Sequence, residues 1–286
     1  MPSMSKASEG SAMKFHEHIR RDDPSGCEVA ILGMPDDAGV ALNGGRVGAA
    51  RGPAGFRDAL CHYGVCTPAA WQWPGVFDAG DTRTGSSLQE THRIVTEAAG
   101  ELLDRDLLPV GIGGGHDLTF AFVRALCNRL AAPPVGVYFD AHLDVREGLG
   151  SGMPFRALAE TCGVRELHAH GIDPFANNAS HQAWFAAHGG RLDSFGPEDP
   201  WPEGDLFVSF DMDVIDQAYA PGVSAMNPCG MTPGMAKRWA RSAGRCPRVR
   251  CFDIMELSPP LDPTGRTARL AAAVFLAFLR GVAERS

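Results

Sequence analysis

Five short, mostly apolar runs punctuate the chain: CEVAILG (27–33), LLPVGIG (107–113), VGVYF (135–139), LFVSF (206–210) and VRCFDIM (249–255). They show little alternation of apolar and polar positions, so each predicts a strand buried on both faces. Among them lie longer stretches in which apolar residues recur every three to four positions: SLQETHRIVTEAAGELLDR (from Ser87), DLTFAFVRALCNRLA (from Asp117) and GRTARLAAAVFLAFLRGVAER (from Gly265). That spacing predicts helices. Buried strands alternating with helices predict an α/β fold around a parallel sheet.

No linker, repeat or shift in composition divides the chain, and 286 residues suffice for one sizeable core. One domain over 27–286 is expected, preceded by a polar, flexible segment over 1–26 in which Met1, Met4 and Met13 are all possible starts. Loops rich in Gly and Pro at 33–55 and 219–234 are long enough to wall a site.

In an open parallel sheet the binding crevice lies past the carboxyl ends of the strands. Three of the runs end there in potential metal ligands. GIGGGHD places His116 after one, YFDAHLD places Asp140, His142 and Asp144 after a second, and SFDMDVID places Asp211 and Asp213 after a third. Alternate residues of an extended chain point to the same side, so Asp140, His142 and Asp144 can converge on one point, as can Asp211 and Asp213. Four carboxylates so close repel and raise one another's pKa unless cations sit among them. Two divalent ions would balance them. An oxygen-rich set with two imidazoles suits Mn²⁺ better than structural zinc, which recruits thiolates, or Mg²⁺, which rarely takes imidazole. Two such ions roughly 3.5–4 Å apart lower the pKa of water held between them toward neutrality. A single DxH or DxD is more often a turn or loop cap; three pieces, each after its own apolar run, call for another explanation.

Composition narrows the field. With 26 basic and 34 acidic side chains the net charge is -8, which argues against a nucleic-acid partner. Eight cysteines without a CxxC pair are expected to be reduced thiols in a cytoplasm. The sequence has neither an 18-residue apolar run nor a signal-peptide pattern, so no membrane partner is expected. GIGGGH lacks the full GxGxxG spacing, and neither GxxxxGK[ST] nor GxSxG occurs, so dinucleotide, P-loop and serine-esterase chemistry have no support.

The motifs resemble those of the ureohydrolase family, which includes arginases, agmatinases and formimidoylglutamases. GGGHD, DAHLD, SFDMDVID, APGVSA (220–225) and FDIMEL (252–257) match in the family's order over nearly the whole chain. The resemblance implies an arginase-like three-layer α/β/α fold with a mainly parallel sheet of about eight strands, and a Mn²⁺ pair. It implies that Asp140 and Asp211 bridge both ions, that His116 and Asp144 complete one site, and that His142 and Asp213 complete the other. The implied reaction is hydrolysis of a C–N bond at an amidine or guanidinium carbon. In it Glu256 matches the carboxylate that holds the cationic substrate nitrogen, a role suited to charge-assisted hydrogen bonds with a planar amidinium. Trimers or hexamers are the implied assemblies.

Within the family, SGMPFR (151–156) puts Ser151 where arginases and agmatinases carry a proton-shuttling histidine. This form, with GIDPFANN (171–178) and the DPTGRTARLAA that begins at Asp262, is similar to formimidoylglutamases, which hydrolyse N-formimidoyl-L-glutamate to formamide and L-glutamate. Met153 departs from the smaller residue usual there. A substrate with two carboxylates needs cationic partners, and Arg156 and Arg266 are the expected ones. His168, His170, His181 and His188 are expected at the surface or in the core, without a catalytic role. Three other readings are a hydrolase of another guanidino or amidino compound, a metal-binding subunit without turnover, and a single-zinc deacetylase of related fold. The complete six-ligand set argues against the last.

Overall fold

Each of the five apolar runs is a strand, in a sheet covered on both faces. The computed structural model describes residues 14–64 and 72–285. The strands are β1 (Ile19–Arg20), β2 (Val29–Met34), β3 (Val76–Asp81), β4 (Leu108–Gly113), β5 (Val135–Phe139), β6 (Leu167–His170), β7 (Gly190–Leu192), β8 (Leu206–Asp211) and β9 (Val249–Met255). They stand in the order β1-β3-β2-β4-β9-β8-β5-β6-β7, and every strand pairing is parallel.

The helices are α1 (Ala38–Leu42), α2 (Gly52–Leu60), α3 (Leu88–Leu103), α4 (Leu118–Cys127), α5 (Pro154–Thr161), α6 (Ala179–Ala187), α7 (Pro233–Arg245) and α8 (Arg266–Val282). Along β2, Val29 and Ile31 pack into a core shared with α2, α7 and α8, whereas Ala30, Leu32 and Met34 pack into one shared with α3, α4, α5 and α6. The result is three layers. Burying a Val, Leu, Ile or Phe side chain contributes roughly 1.5–3 kcal/mol, and here both strand faces must make that contribution. This is why the runs lack alternation. Several helices start on side-chain caps: Ser87 accepts from Glu90 N, Asn178 from His181 N and Thr232 from Met235 N.

The chain crosses from β4 to β5, then returns through β8 and β9 to lie beside β4. Strands β4, β9, β8 and β5 therefore stand side by side in the middle of the sheet, and the change in winding direction opens a crevice at their carboxyl ends.

Strands β1, β3, β6 and β7 have no counterpart among the apolar runs. Of the segment expected to be flexible, residues 1–13 lie outside the described residues. In the rest, Phe15 is 1% exposed within the core and Ile19–Arg20 pairs with Val76 and Phe77 at the sheet edge, so the folded unit takes in residues before 27. Among the described residues no helix is long and apolar enough to cross a membrane.

Helices α7 and α8 pack through glycine. A Cβ on Gly281 would stand 2.1 Å from the Arg241 carbonyl oxygen, and one on Gly244 would stand 2.0 Å from that of Phe278. Backbone cannot yield as a flexible side chain does, so Gly281→Ala is expected to force the helices apart and cost about 1–3 kcal/mol. Urea unfolding checks this; an unchanged midpoint would contradict the packing described.

Candidate metal centre

The turn after β4 folds back on the end of β2. A Cβ on Gly114 would meet the Asp36 carbonyl oxygen at 2.0 Å, so this approach needs glycine. The turn delivers His116, 1% exposed, to the crevice.

After β5 and β8 the same local device appears twice. Asp140 Oδ1 accepts from the amide of His142 at 2.6 Å, and Asp211 Oδ1 accepts from the amide of Asp213 at 2.7 Å. Each is an Asx turn, the ordinary use of an aspartate two residues before an amide. The turn occupies one oxygen and leaves the other free to point elsewhere. Here Asp140 Oδ2 and Asp211 Oδ2 each lie 3.1 Å from His116 Nδ1, and Asp144 Oδ2 lies 2.9 Å from it. His142 Nδ1 lies 3.2 Å from Asp140 Oδ1 and 3.1 Å from Asp213 Oδ2.

Two compact groups result, His116–Asp140–Asp144 and Asp140–His142–Asp213, with the ligand atoms of each within 4.8 Å of one another. Asp140 belongs to both, and Asp211 borders the first through His116. The contacts around His116 are not ordinary hydrogen bonds. Its Nδ1 and Asp140 Oδ2 are buried and close, yet among the described residues neither has a hydrogen-bond partner. Carboxylate oxygens and imidazole nitrogens gathered this closely, with lone pairs to offer, are what a cation site requires, and the mixed oxygen and imidazole set suits Mn²⁺.

The electrostatics agree. Burial raises the Asp211 carboxyl well above the usual range, and Asp213 and Asp140 add to the effect. Burial, with Asp144 and Asp213, pushes Asp140 up to about 6. Burial opposes charge on His116 and His142, but the surrounding carboxylates prevail and raise both imidazoles. Protons thus take up part of the balance that cations would otherwise supply.

A second layer orients His116. Its Nε2 lies 3.0 Å from Ser209 Oγ, and that hydroxyl donates to Asp253 Oδ1 at 2.6 Å. With its single proton given to Asp253, Ser209 can only accept from His116, so Nε2 keeps its proton and Nδ1 is the nitrogen that faces the cluster, its lone pair open to a cation once the proton held there is displaced. The ring of Phe155 meets His116 edge-on at 5.4 Å.

Glu256, 4% exposed, follows β9. Its Oε1 accepts from the His116 amide at 2.9 Å, while Oε2 is buried without a partner among the described residues. Burial raises this carboxyl to about 8 despite that hydrogen bond. Asp144 and Glu256 have φ of 47° and 61°, a left-handed conformation uncommon for a glutamate and more often held by an aspartate.

The cluster floors a cavity of about 150 Å³, walled by Asn43, Ser151, Ser224 and Arg146. Asn43 Nδ2 donates to Ser151 Oγ at 2.9 Å. His142, Asp144 and Arg146 also line a neighbouring lobe of about 250 Å³, together with Phe175, Asn177, Asn178 and His181.

The two arginines expected at the substrate are engaged elsewhere. Arg156 pairs with Glu147 at 2.9 Å and Glu160 at 2.8 Å and lies over the Trp184 ring. Arg266 donates to the Ala218 carbonyl and Thr264 Oγ1, both at 2.9 Å. Neither is among the residues lining the two cavities. Arg146 lines both, and among the described residues its guanidinium has no acidic partner. A signal for it was in the sequence, where it continues the alternation of 140, 142 and 144. His168 and His170 are buried on β6.

Comparison with known proteins agrees with this geometry. The chain is similar to the formimidoylglutamase of Aromatoleum aromaticum, at 33% identity covering 96% of this chain and 89% of that protein. It is similar to a human mitochondrial guanidino acid hydrolase, at 29% identity covering 90% and 78% of the two chains. The crystal structure of Trypanosoma cruzi formiminoglutamase with Mn²⁺ superposes with a TM-score of 0.85, at 29% identity over 93% of this chain and 96% of that one. The family model that matches, Arginase family, spans residues 27–280, nearly the whole described chain, and the chain belongs to that family.

Proposed function

We propose that this protein is a Mn²⁺-dependent hydrolase of a linear amidine, acting on N-formimidoyl-L-glutamate to give formamide and L-glutamate. The observation that carries the reading is Arg146, exposed and without an acidic partner among the described residues, in one cavity with three of the cluster's aspartates, its two histidines and Glu256. A cavity so rich in carboxylates repels an anionic substrate unless a cation at its rim draws the substrate in.

His116, Asp140 and Asp144 would hold one ion and Asp140, His142 and Asp213 the other, with Asp211 as the second shared carboxylate. When bound, the pair supplies Lewis acidity and lowers the pKa of water held there. The rest falls to the chain. Glu256 Oε2 accepts hydrogen bonds from the planar amidinium, and Oε1, fixed by the His116 amide, sets the direction of that grip. Arg146 takes a substrate carboxylate, and Ser151, Asn43 and Ser224 offer hydrogen bonds along the wall. The side lobe gives room for a second carboxylate near His181. A reducing cytoplasm fits, because the described cysteines are free thiols.

The likeness to a guanidino acid hydrolase favours a second reading, since a guanidino acid also joins a planar cation to a carboxylate. Product release from N-formimidoyl-L-glutamate, arginine, agmatine and guanidinobutyrate by the Mn²⁺-loaded protein separates the two. Turnover of the first is expected. Turnover of guanidinobutyrate alone would move the assignment to the second reading, and silence on all four with metal bound would fit a subunit without turnover.

Three outcomes follow from the residue roles. Arg146→Ala should raise KM roughly 10- to 100-fold, the worth of one charged hydrogen bond of about 1.5–3 kcal/mol, with kcat little changed. Glu256→Gln should retain the metals and lower kcat on the order of 100-fold, since it loosens the substrate's alignment. Mn²⁺ must displace the protons that the carboxylates hold on His116 and His142. Its affinity should therefore fall as pH is lowered, and its uptake should release protons. Calorimetry in buffers of different ionisation enthalpy reads that release; uptake without it would contradict the charge balance.

A further inference from the structure

The motif GIDPFANN forms the loop between β6 and α6, and one of its side chains reaches under the metal-ligand turn. Asn177 Oδ1 accepts from the Leu143 amide at 2.8 Å, and Asn177 Nδ2 donates to the Ala141 carbonyl at 2.9 Å. Ala141 and Leu143 are the two residues between the ligands of DAHLD. The same Nδ2 donates to the Asp173 carbonyl at 2.8 Å, and the Asp173 amide donates back to Ala141 at 2.9 Å. Both ends of the grip are thereby fixed.

The three amides before Leu143 are held by the cluster or by the sheet. The Asp140 amide donates to the His170 carbonyl at 3.1 Å, that of Ala141 reaches Asp213 Oδ1 at 3.4 Å, and that of His142 closes the Asx turn on Asp140. Only Leu143 takes its acceptor from a side chain outside the cluster. Asp144 directly after it holds a left-handed φ of 47°, a conformation that needs support from its surroundings.

We infer that Asn177 is a positioning residue: its side-chain amide clamps the turn that carries Asp140, His142 and Asp144, and so sets how tightly the chain binds its metal pair. The inference rests on the metal-centre reading given above. Asn177 also lines the side lobe, and the clamp is therefore read on metal affinity without substrate, which a contact with substrate would not move. A residue that merely tied down a loop would change stability and leave metal affinity where it was.

The test compares wild type with Asn177→Ala and with the near-isosteric Asn177→Asp, which keeps an acceptor for Leu143 but loses both donated bonds. Mn²⁺ affinity is read by chelator competition, and exchange of the Leu143 amide by NMR on the metal-free protein. Asn177→Ala should bind Mn²⁺ roughly 10- to 100-fold more weakly, the usual cost of losing such a support, and its Leu143 amide should exchange at least about tenfold faster. Asn177→Asp should keep Leu143 protected and still lose affinity, which carries the test if the alanine variant does not fold. Wild-type Mn²⁺ affinity in either folded variant, with only the melting temperature lowered, would overturn the clamp. Failure of the wild type itself to bind Mn²⁺ would instead sink the metal-centre reading.

Discussion

Mutual repulsion among carboxylates at the centre of the sheet is the constraint around which the rest of this structure is organised. Asp140, Asp211 and Asp213 are almost wholly buried and Asp144 nearly so, and their oxygens crowd two imidazoles at about ion-pair distance. Such a cluster is tolerable only with positive charge inside it. In the chain alone the histidines supply it as protons; the donor set is arranged so that metal cations supply it better. The parallel sheet provides rigid strand ends, the return of β8 and β9 brings four of them together, and the Asx turns free one oxygen of Asp140 and of Asp211 for the centre.

Outside the cluster, neighbouring residues turn its charge into chemistry. Ser209 and Asp253 fix which nitrogen of His116 faces inward. The His116 amide fixes Glu256, so that the group holding the first candidate ion also aims the carboxylate proposed to grip the substrate. Arg146 is proposed to supply the attraction that the acidic floor denies an anion.

Much of this was legible in the sequence, for identifiable reasons. The five apolar runs stand out because both sheet faces are covered, and alternate spacing in DxHxD and DxD marks side chains on one side of an extended chain. β3 and β6 escape notice because VFDAGD and LHAH carry charged or imidazole groups into their strands. Phe15 is a core residue set in a polar stretch, so composition alone assigns its segment to solvent. Arg156, expected at the substrate, is instead paired, and Glu160 four residues on is an i,i+4 partner that the sequence spacing already held. The grip of Asn177 depends on how the loop after β6 lies beneath the turn after β5. No spacing within either motif records that neighbourhood.

The most direct test of the charge-balance argument is a titration of the metal-free protein with Mn²⁺, followed by electron paramagnetic resonance and thermal unfolding. Two ions per chain are expected, with the spectrum of an exchange-coupled pair. At 100 times Kd each bound ion adds about 2.7 kcal/mol of stability. Saturation at one ion or none, or two uncoupled ions retained at full affinity by Asp140→Ala, would contradict a shared carboxylate at the centre of the site.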